Sequence, residues 1–293
     1  AAMFLALAWG AVVGGVATLL GGARGPLALA IVEEMSGKGF SFSDWTAAAW
    51  PMVLGMLAIA AFLLLRVAPG DGIDMGGARE RIGQRQLELG QLSVSGRLMA
   101  VLMLVTVTAW VLLGESAGLA GIALLAVTAM FALRIVSWRE IQSHVDWGVV
   151  LMYGGAIAVA KALEKTGAAG WLTSQLWPDG ISGLALLALL ALMTLLLTEA
   201  ISNSAAVAIM LPMAIPLGSA SGLDPVLIAL SVGIVSGFAF MLPMGTPANA
   251  MVFGTGFVEL RLMIRYGSLM MLAALLLYVV TARLWWPLAG TGS

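Results

Sequence analysis

Residues 241–256 constrain the fold of this chain more than any other stretch. Two prolines and three glycines interrupt this apolar run, with Thr246 and Asn249 among them. Pro243 and Pro247 each remove a backbone donor and clash with the preceding helical turn, so peptide groups around Gly245 lose their helical partners. In hydrocarbon such a break is stable only where protein or a cavity surrounds it, and secondary transporters build binding sites in this way. The stretch therefore predicts a membrane helix that is unwound at its middle and binds a small polar solute there.

The composition indicates the class of protein. Hydrophobic residues make up 61% of the chain and charged residues only 10%, whereas a soluble domain has about 25% charged residues. We therefore expect an all-α integral membrane protein. A net charge of -1 argues against a nucleic-acid partner, and zero cysteines exclude a disulfide framework or a thiolate metal site. Because the sequence opens within a hydrophobic segment, we also expect a further amino-terminal part.

A second broken helix is predicted near the start of the chain. Residues 3–32 are apolar except for an interruption at 21–26, and placing Gly21 on Gly245 aligns the two breaks. The first broken helix enters from the cytoplasm and the second from outside, so the two units form an inverted repeat, which is typical of secondary transporters. We predict that residues 1–66 end the first repeat, 67–96 form a cytoplasmic connector and 97–287 form the second repeat.

The second repeat is predicted to contain a re-entrant helical hairpin. Its apolar segments 184–197 and 205–217 are separated by the polar segment 198–204, and each is shorter than the roughly 20 residues of a full span. Two full crossings would leave the same faces inside, so charge alone does not decide between the two arrangements. The predicted order is three spans, the hairpin at 183–218, a broken helix at 225–258 and a last span at 266–286.

The basic residues predict the orientation in the membrane. They cluster at 66–97, at Arg134 and Arg139, and at Arg261 and Arg265, and all three clusters fall inside if the first helix rises from the cytoplasm. We predict that labelling reagents reach residues 70–91 only from the cytoplasmic side. Labelling of this segment from outside intact cells would contradict the topology.

Two segments resemble the divalent anion/sodium symporter family, which has Ser-Asn-Thr hairpin tips and Thr-Pro-Pro-Asn broken helices. They are residues 198–206, with Ser202-Asn203-Ser204, and residues 240–256, with Thr246-Pro247-Ala248-Asn249. The resemblance covers the entire chain. It implies a scaffold and a first hairpin outside these residues, a homodimer, and a place in the inner (plasma) membrane.

The resemblance also implies a binding site. Neither motif contains lysine or arginine, so helix N-termini and bound cations must meet the charge of a dianion. The structural alternative is that Ser202 and Asn249 simply cap the helices that follow them. The residues implied for sodium are Ser202, Asn203, Gly245 and Pro247; those expected at the anion are Asn203, Ser204, Thr246, Asn249 and Arg24.

The first break departs from the family pattern. Gly22-Ala23-Arg24-Gly25 stands where Thr-Pro-Pro-Asn is expected, and the repeat alignment places Arg24 opposite Ala248. A guanidinium repels a sodium ion but offers an anion a permanent positive charge. The hypothesis is that Arg24 replaces one coupling sodium. The alternative is that Arg24 forms an ion pair with Glu33, with Glu34 or with a carboxylate of the first repeat that lies outside these residues.

Glu199 precedes the hairpin tip by about one turn. An ionisable group at membrane depth is costly and usually functional, so Glu199 is a candidate proton or cation relay. The alternative is that it lies in water at the cytoplasmic hairpin tip and holds the loop by hydrogen bonds.

The function predicted from these features is sodium-coupled symport of a small divalent anion, either a dicarboxylate or sulfate. The alternative within transport is a proton-coupled anion, arsenite or sodium/proton transporter built on the same repeat. An intramembrane hydrolase is disfavoured because the one histidine, His144, is expected in a loop, which leaves no base for a serine nucleophile within a span. We therefore expect that the protein is not an enzyme and that its coupling ion is Na⁺.

Overall fold

The computed structural model describes residues 1–67, 93–144, 147–168, 171 and 183–289, and every regular element in these residues is helical. The chain divides into two compact units, one formed by Ala1–Ala68 with Trp147–Ser293 and the other by Pro69–Asp146. The predicted connector at 67–96 lies almost entirely outside the described residues. The helices are α1 (Ala2–Gly14), α2 (Arg24–Ser36), α3 (Phe42–Val67), α4 (Val94–Ala117), α5 (Leu119–Ala132), α6 (Trp138–His144), α7 (Trp147–Thr166), α8 (Gly183–Ala200), α9 (Asn203–Ala220), α10 (Pro225–Val235), α11 (Pro247–Gly254) and α12 (Leu260–Leu284).

Five helices among the described residues are long and apolar enough to cross a membrane: α3, most of α4, α8, α9 and α12. These helices confirm the prediction of an all-α membrane protein. In the smaller unit, α4 packs against α5. Helix α5, one of the three spans expected before the hairpin, has 14 residues, or about 21 Å at the helical rise, which is shorter than the hydrocarbon core. His144 ends the short helix α6 and does not lie in the expected loop.

The first break is confirmed but begins earlier than predicted. Helix α1 ends at Gly14 and α2 begins at Arg24, whereas the expected interruption was 21–26. Within the break the chain folds back so closely that a β-carbon on Gly21 would collide with the backbone of Gly15, which is an approach only glycine allows. Pro26 lies in the first turn of α2, where a proline does not interrupt the helix.

The second break is also longer than predicted. Helix α10 ends at Val235 and α11 begins at Pro247, with one 3-10 turn at Pro243–Gly245 between them. Proline acts on the helix over about four preceding residues, so Pro243 explains the break only from about residue 239. The earlier end coincides with Ser236, whose hydroxyl donates to the Gly233 carbonyl at 2.9 Å.

The hairpin helices are longer than the sequence indicates. Helices α8 and α9 have 18 residues each, and only Ile201 and Ser202 separate them. The prediction that both are too short for a span is therefore wrong, and helix length no longer favours a re-entrant hairpin. Re-entrance stays a prediction.

The larger unit brings the two breaks together. The first half of each broken helix packs against the second half of the other, because α1 contacts α11 and α2 contacts α10. Helix α8 packs against α10 and α12, while α9 packs against α2 and α10. This crossed pairing places the turn between α8 and α9 beside both breaks. It is the arrangement that two antiparallel broken helices give, although the inverted repeat itself stays a prediction.

Candidate functional site

A cavity of about 720 Å³ lies where the two breaks meet the turn between α8 and α9. Its lining comes from the end of α1, the first break, the turn, the second break and the start of α11. Asn249 is the one predicted site residue that does not line it. The predicted residues that do are Arg24, Ser202, Asn203, Ser204, Gly245, Thr246 and Pro247.

Three helices begin at this cavity. The first residues of α2, α9 and α11 all belong to its lining. The N-terminus of a helix presents free amide donors and the positive end of the helix dipole. The cavity wall is therefore suited to an anion even before its side chains are considered.

The turn contributes two hydroxyl groups. Ser202 caps α9, because its Oγ accepts from the Ala205 amide at 3.2 Å. The capping role considered for Ser202 is thus confirmed, while its exposed side chain also lines the cavity. Ser204 is half-buried, and its hydroxyl has no hydrogen-bond partner among the described residues. Its hydroxyl is thus available to a solute.

Asn203 joins the turn to the second break. In the amide orientation that satisfies its neighbours, Asn203 Nδ2 donates to the carbonyl oxygens of Gly245 and Ser236, at 3.2 Å each. Thr198 Oγ1 lies 2.9 Å from the same amide and donates to the Ser236 carbonyl at 2.7 Å. Asn203 thereby fixes the distance between the turn and both ends of the unwound segment.

The side chain of Glu199 binds the backbone of the unwound segment. Its carboxylate accepts from three consecutive amides, Phe240 at 2.7 Å, Met241 at 3.0 Å and Leu242 at 2.9 Å. The side chain is only 2% exposed. The alternative that it lies in water at the hairpin tip and holds that loop is therefore wrong, because the side chain is buried and its hydrogen bonds go to the second break. These bonds satisfy the backbone donors that the break takes out of the helix.

Thr246 and Asn249 order the start of α11. Thr246 caps the helix, because its Oγ1 accepts from the Asn249 amide at 3.1 Å. The side chain of Asn249 is fully buried and donates to the carbonyls of Ala239 and Leu242, at 3.1 and 3.3 Å. The capping role considered for Asn249 is thus wrong, since Thr246 is the cap. Asn249 lies behind the cavity wall and binds the carbonyl oxygens of the break.

Among the described residues that line the cavity, Arg24 is the one that carries a charge. Its side chain is 6% exposed and donates to the Gly15 carbonyl, while Nε has no hydrogen-bond partner among the residues that the structure describes. The ion pair considered with Glu34 is wrong, because Glu34 pairs with Lys161 at 2.6 Å. Nor does Glu33 pair with Arg24, which forms no ion pair anywhere in the described part of the chain.

Because Gly237 has no side chain, the guanidinium of Arg24 has room beside the second break. A β-carbon on Gly237 would lie 2.8 Å from both Cζ and Nε of Arg24 and 2.5 Å from Val16 Cγ2. The guanidinium from the first break therefore lies directly against the backbone of the second. The local sequence around Gly237 does not indicate this contact, because Arg24 belongs to a distant part of the chain.

Gly237→Ala is expected to destabilise the protein by about 1–3 kcal/mol, the usual range for overpacking a buried site. The matched control is Gly14→Ala, since a β-carbon on Gly14 meets no atom within 4 Å. Thermal unfolding of the two purified variants measures the difference. Equal melting temperatures for both variants and the wild type would contradict the close packing at Gly237.

Comparison with known proteins assigns the family. Residues 1–291 match the family described as the sodium:sulfate symporter transmembrane region. A sodium-dependent dicarboxylate transporter of Staphylococcus saprophyticus is 28% identical over 302 residues, which cover 95% of this chain and 57% of that protein. The protein of the same name in Staphylococcus aureus is 29% identical over 287 residues, or 90% of this chain and 55% of that protein.

The chain spans somewhat more than half the length of the curated relatives it matches. Family and relatives alike are named as transporters and not as enzymes. The family resemblance of the hairpin segment 198–206 and the broken-helix segment 240–256 is thereby confirmed. Because the family match covers almost every residue, this all-α multi-pass membrane chain belongs to the sodium:sulfate symporter transmembrane-region family.

Proposed function

We propose that the protein carries a small divalent anion, a dicarboxylate or sulfate, across the plasma membrane together with sodium. The observation that carries this proposal is the cavity, in which three helix N-termini and one arginine surround uncharged hydroxyl and amide groups. Its chemistry suits an oxyanion that is recognised by hydrogen bonds and by positive potential. The names of the relatives support sodium as the coupling ion and a dicarboxylate as one class of substrate.

The proposed anion contacts lie at the helix starts. Ser204 offers a hydroxyl without a partner in the described residues, and the first turns of α9 and α11 offer backbone amides. Asn203 and Thr246 position these groups and present their side chains to the cavity. Asn249, which does not line the cavity, serves as a positioning residue for the unwound segment.

The proposed sodium ligands are oxygen atoms of the turn and the second break. They belong to Ser202 and Asn203 and to the backbone near Gly245 and Pro247. Sodium is a hard cation, and unwound carbonyls of broken helices serve this purpose in secondary transporters. The Gly245 carbonyl is also the acceptor for Asn203, so one residue couples the cation site to the turn.

Electrostatic attraction between the anion and a nearby sodium ion explains why each would raise the affinity for the other. Opposite charges about 5 Å apart, at an effective dielectric constant of about 20, attract by about 3 kcal/mol. This energy corresponds to about two orders of magnitude in affinity. By linkage, the anion raises the affinity for sodium by the same factor as sodium raises the affinity for the anion.

A thermal-shift screen of the full-length protein tests the proposal. We expect succinate, malate or sulfate to raise the melting temperature more in sodium than in an equal concentration of potassium. Equal stabilisation in both salts would exclude sodium coupling. Stabilisation by arsenite alone, or stabilisation that depends on pH and not on sodium, would instead support the other transporters of the same superfamily.

A homodimer is part of the proposal, on the strength of the family resemblance. Light scattering or crosslinking of the full-length protein in detergent measures the oligomeric state. A monomer that retains full uptake after reconstitution at high dilution would contradict it.

A further inference from the structure

Arg24 is a buried cation whose charge no carboxylate compensates in the described part of the chain. It is 6% exposed, and its one hydrogen bond goes to an uncharged carbonyl oxygen, that of Gly15. Its Nε is buried and has no hydrogen-bond partner in the described ranges. An isolated charge away from water is costly unless it is paired and hydrogen-bonded. The site therefore leaves a positive charge at the cavity wall that no described group neutralises.

The buried carboxylate near this site, that of Glu199, already has hydrogen-bond donors. Glu199 approaches the second break from α8 and directs both carboxylate oxygens to the amides of residues 240–242. Three amide donors stabilise a carboxylate much as a basic side chain would. Glu199 therefore does not serve as the counterion of Arg24, and the positive charge on the cavity wall is not cancelled.

The two breaks differ in what they offer a ligand. Helix α2 begins at Arg24 and α11 begins at Pro247, so the starts of the second halves agree within one residue when Gly21 is placed on Gly245. At the second break, the described lining residues near this point, among them Thr246 and Pro247, carry no charge. At the first break the equivalent place holds a guanidinium, beside which a cation would be repelled.

We infer that Arg24 supplies the anion site with a permanent positive charge, in the place at the first break that a bound cation fills at the second. The inference rests on the proposed function and adds a consequence for coupling. Part of the anion affinity is independent of sodium, because the arginine is always charged. Only the cation at the second break remains linked to the anion.

The test is anion binding by the full-length protein and its Arg24→Gln and Arg24→Lys variants, over a range of sodium concentrations. The probes are succinate, sulfate and monomethyl succinate, which carries one negative charge fewer than succinate. We expect the wild type to bind the dianion weakly without sodium. Arg24→Gln should raise the Kd for the dianion about 30-fold or more at every sodium concentration, with less effect on the monoanion. Arg24→Lys should restore most of the loss.

Each result decides the matter. If Arg24→Gln binds the dianion like the wild type, Arg24 is structural and this inference fails while the proposed function stands. If Arg24→Gln weakens the dianion and the monoanion equally, the residue only shapes the cavity and the inference again fails. If the wild type binds none of these anions even in sodium, the proposed function fails and the inference with it. Thermal unfolding of each variant shows whether it is folded. If Arg24→Gln does not fold, the comparison of the wild type with Arg24→Lys decides the question.

Discussion

Replacing Glu199 with alanine is expected to abolish transport and to cause the largest loss of stability of any single substitution at this site. The change leaves the amides of residues 240–242 without an acceptor in a buried place. Each unsatisfied buried amide costs about 1–3 kcal/mol, so the total is about 3 kcal/mol or more. Such a loss is a large fraction of the stability of an ordinary domain, which is about 5–15 kcal/mol.

The measurement is thermal unfolding of the purified protein together with uptake by cells or liposomes. Glu199→Gln should fall between the wild type and Glu199→Ala, because the amide oxygen still accepts but the amide nitrogen faces backbone donors. The matched control is Glu34→Gln, which removes the same charge from a partly exposed pair with Lys161 and should cost about 1 kcal/mol or less. Unchanged stability of Glu199→Ala would show that these amides have other partners.

Asn203→Ala is expected to reduce uptake about 100-fold or more while the protein is still made and inserted in the membrane. The substitution removes the amide that holds the turn against the Gly245 and Ser236 carbonyls. In the proposed function it also removes a ligand from both the sodium site and the anion site. Misplacement of binding groups by about 1 Å is enough for a loss of this size.

Uptake of the labelled anion and the amount of protein in the membrane are measured together for this variant. The control is Ile209→Ala on the same helix, at a position that is 48% exposed and points away from the protein interior. It should retain nearly all uptake. Uptake by Asn203→Ala at the wild-type level would contradict the assignment of the turn to the binding site.

The sequence predicted the breaks but not their full extent. Pro243 and Pro247 located the second break because proline acts locally, whereas α10 already ends at Val235, next to the place where Gly237 approaches Arg24 from a distant part of the chain. At the first break, the approach of Gly21 to Gly15 is likewise a folded-chain contact. Neither contact leaves a periodic signal in the sequence.

The helix ends at the hairpin were also misplaced by the sequence analysis, here because the helices are longer than predicted. The polarity of residues 198–204 indicated a long tip, yet α8 continues to Ala200. Thr198 and Glu199 stay helical because their side chains bond to the second break, about 40 residues further along the chain. Local composition placed this polar segment at the cavity but misplaced the helix ends, since the partners of these polar groups are distant.

Arg24 was predicted at the site from the repeat alignment, and the cavity lining includes it. Its lack of a carboxylate partner among the described residues could not be predicted, because Glu33 and Glu34 follow it closely in the sequence. The ion pair between Glu34 and Lys161 of α7 removes one of these candidates. This ion pair depends on how α7 packs in the folded chain, which the sequence alone does not reveal.

Uptake driven by an ion gradient is the most direct measurement of sodium-coupled anion transport. The full-length protein is reconstituted in liposomes, and accumulation of labelled succinate or sulfate is measured with an inward sodium gradient, an inward proton gradient or neither. We expect accumulation of the anion with the sodium gradient, loss of that accumulation in Asn203→Ala, and no accumulation with the proton gradient alone. Equal uptake without sodium, or accumulation driven by protons alone, would contradict it.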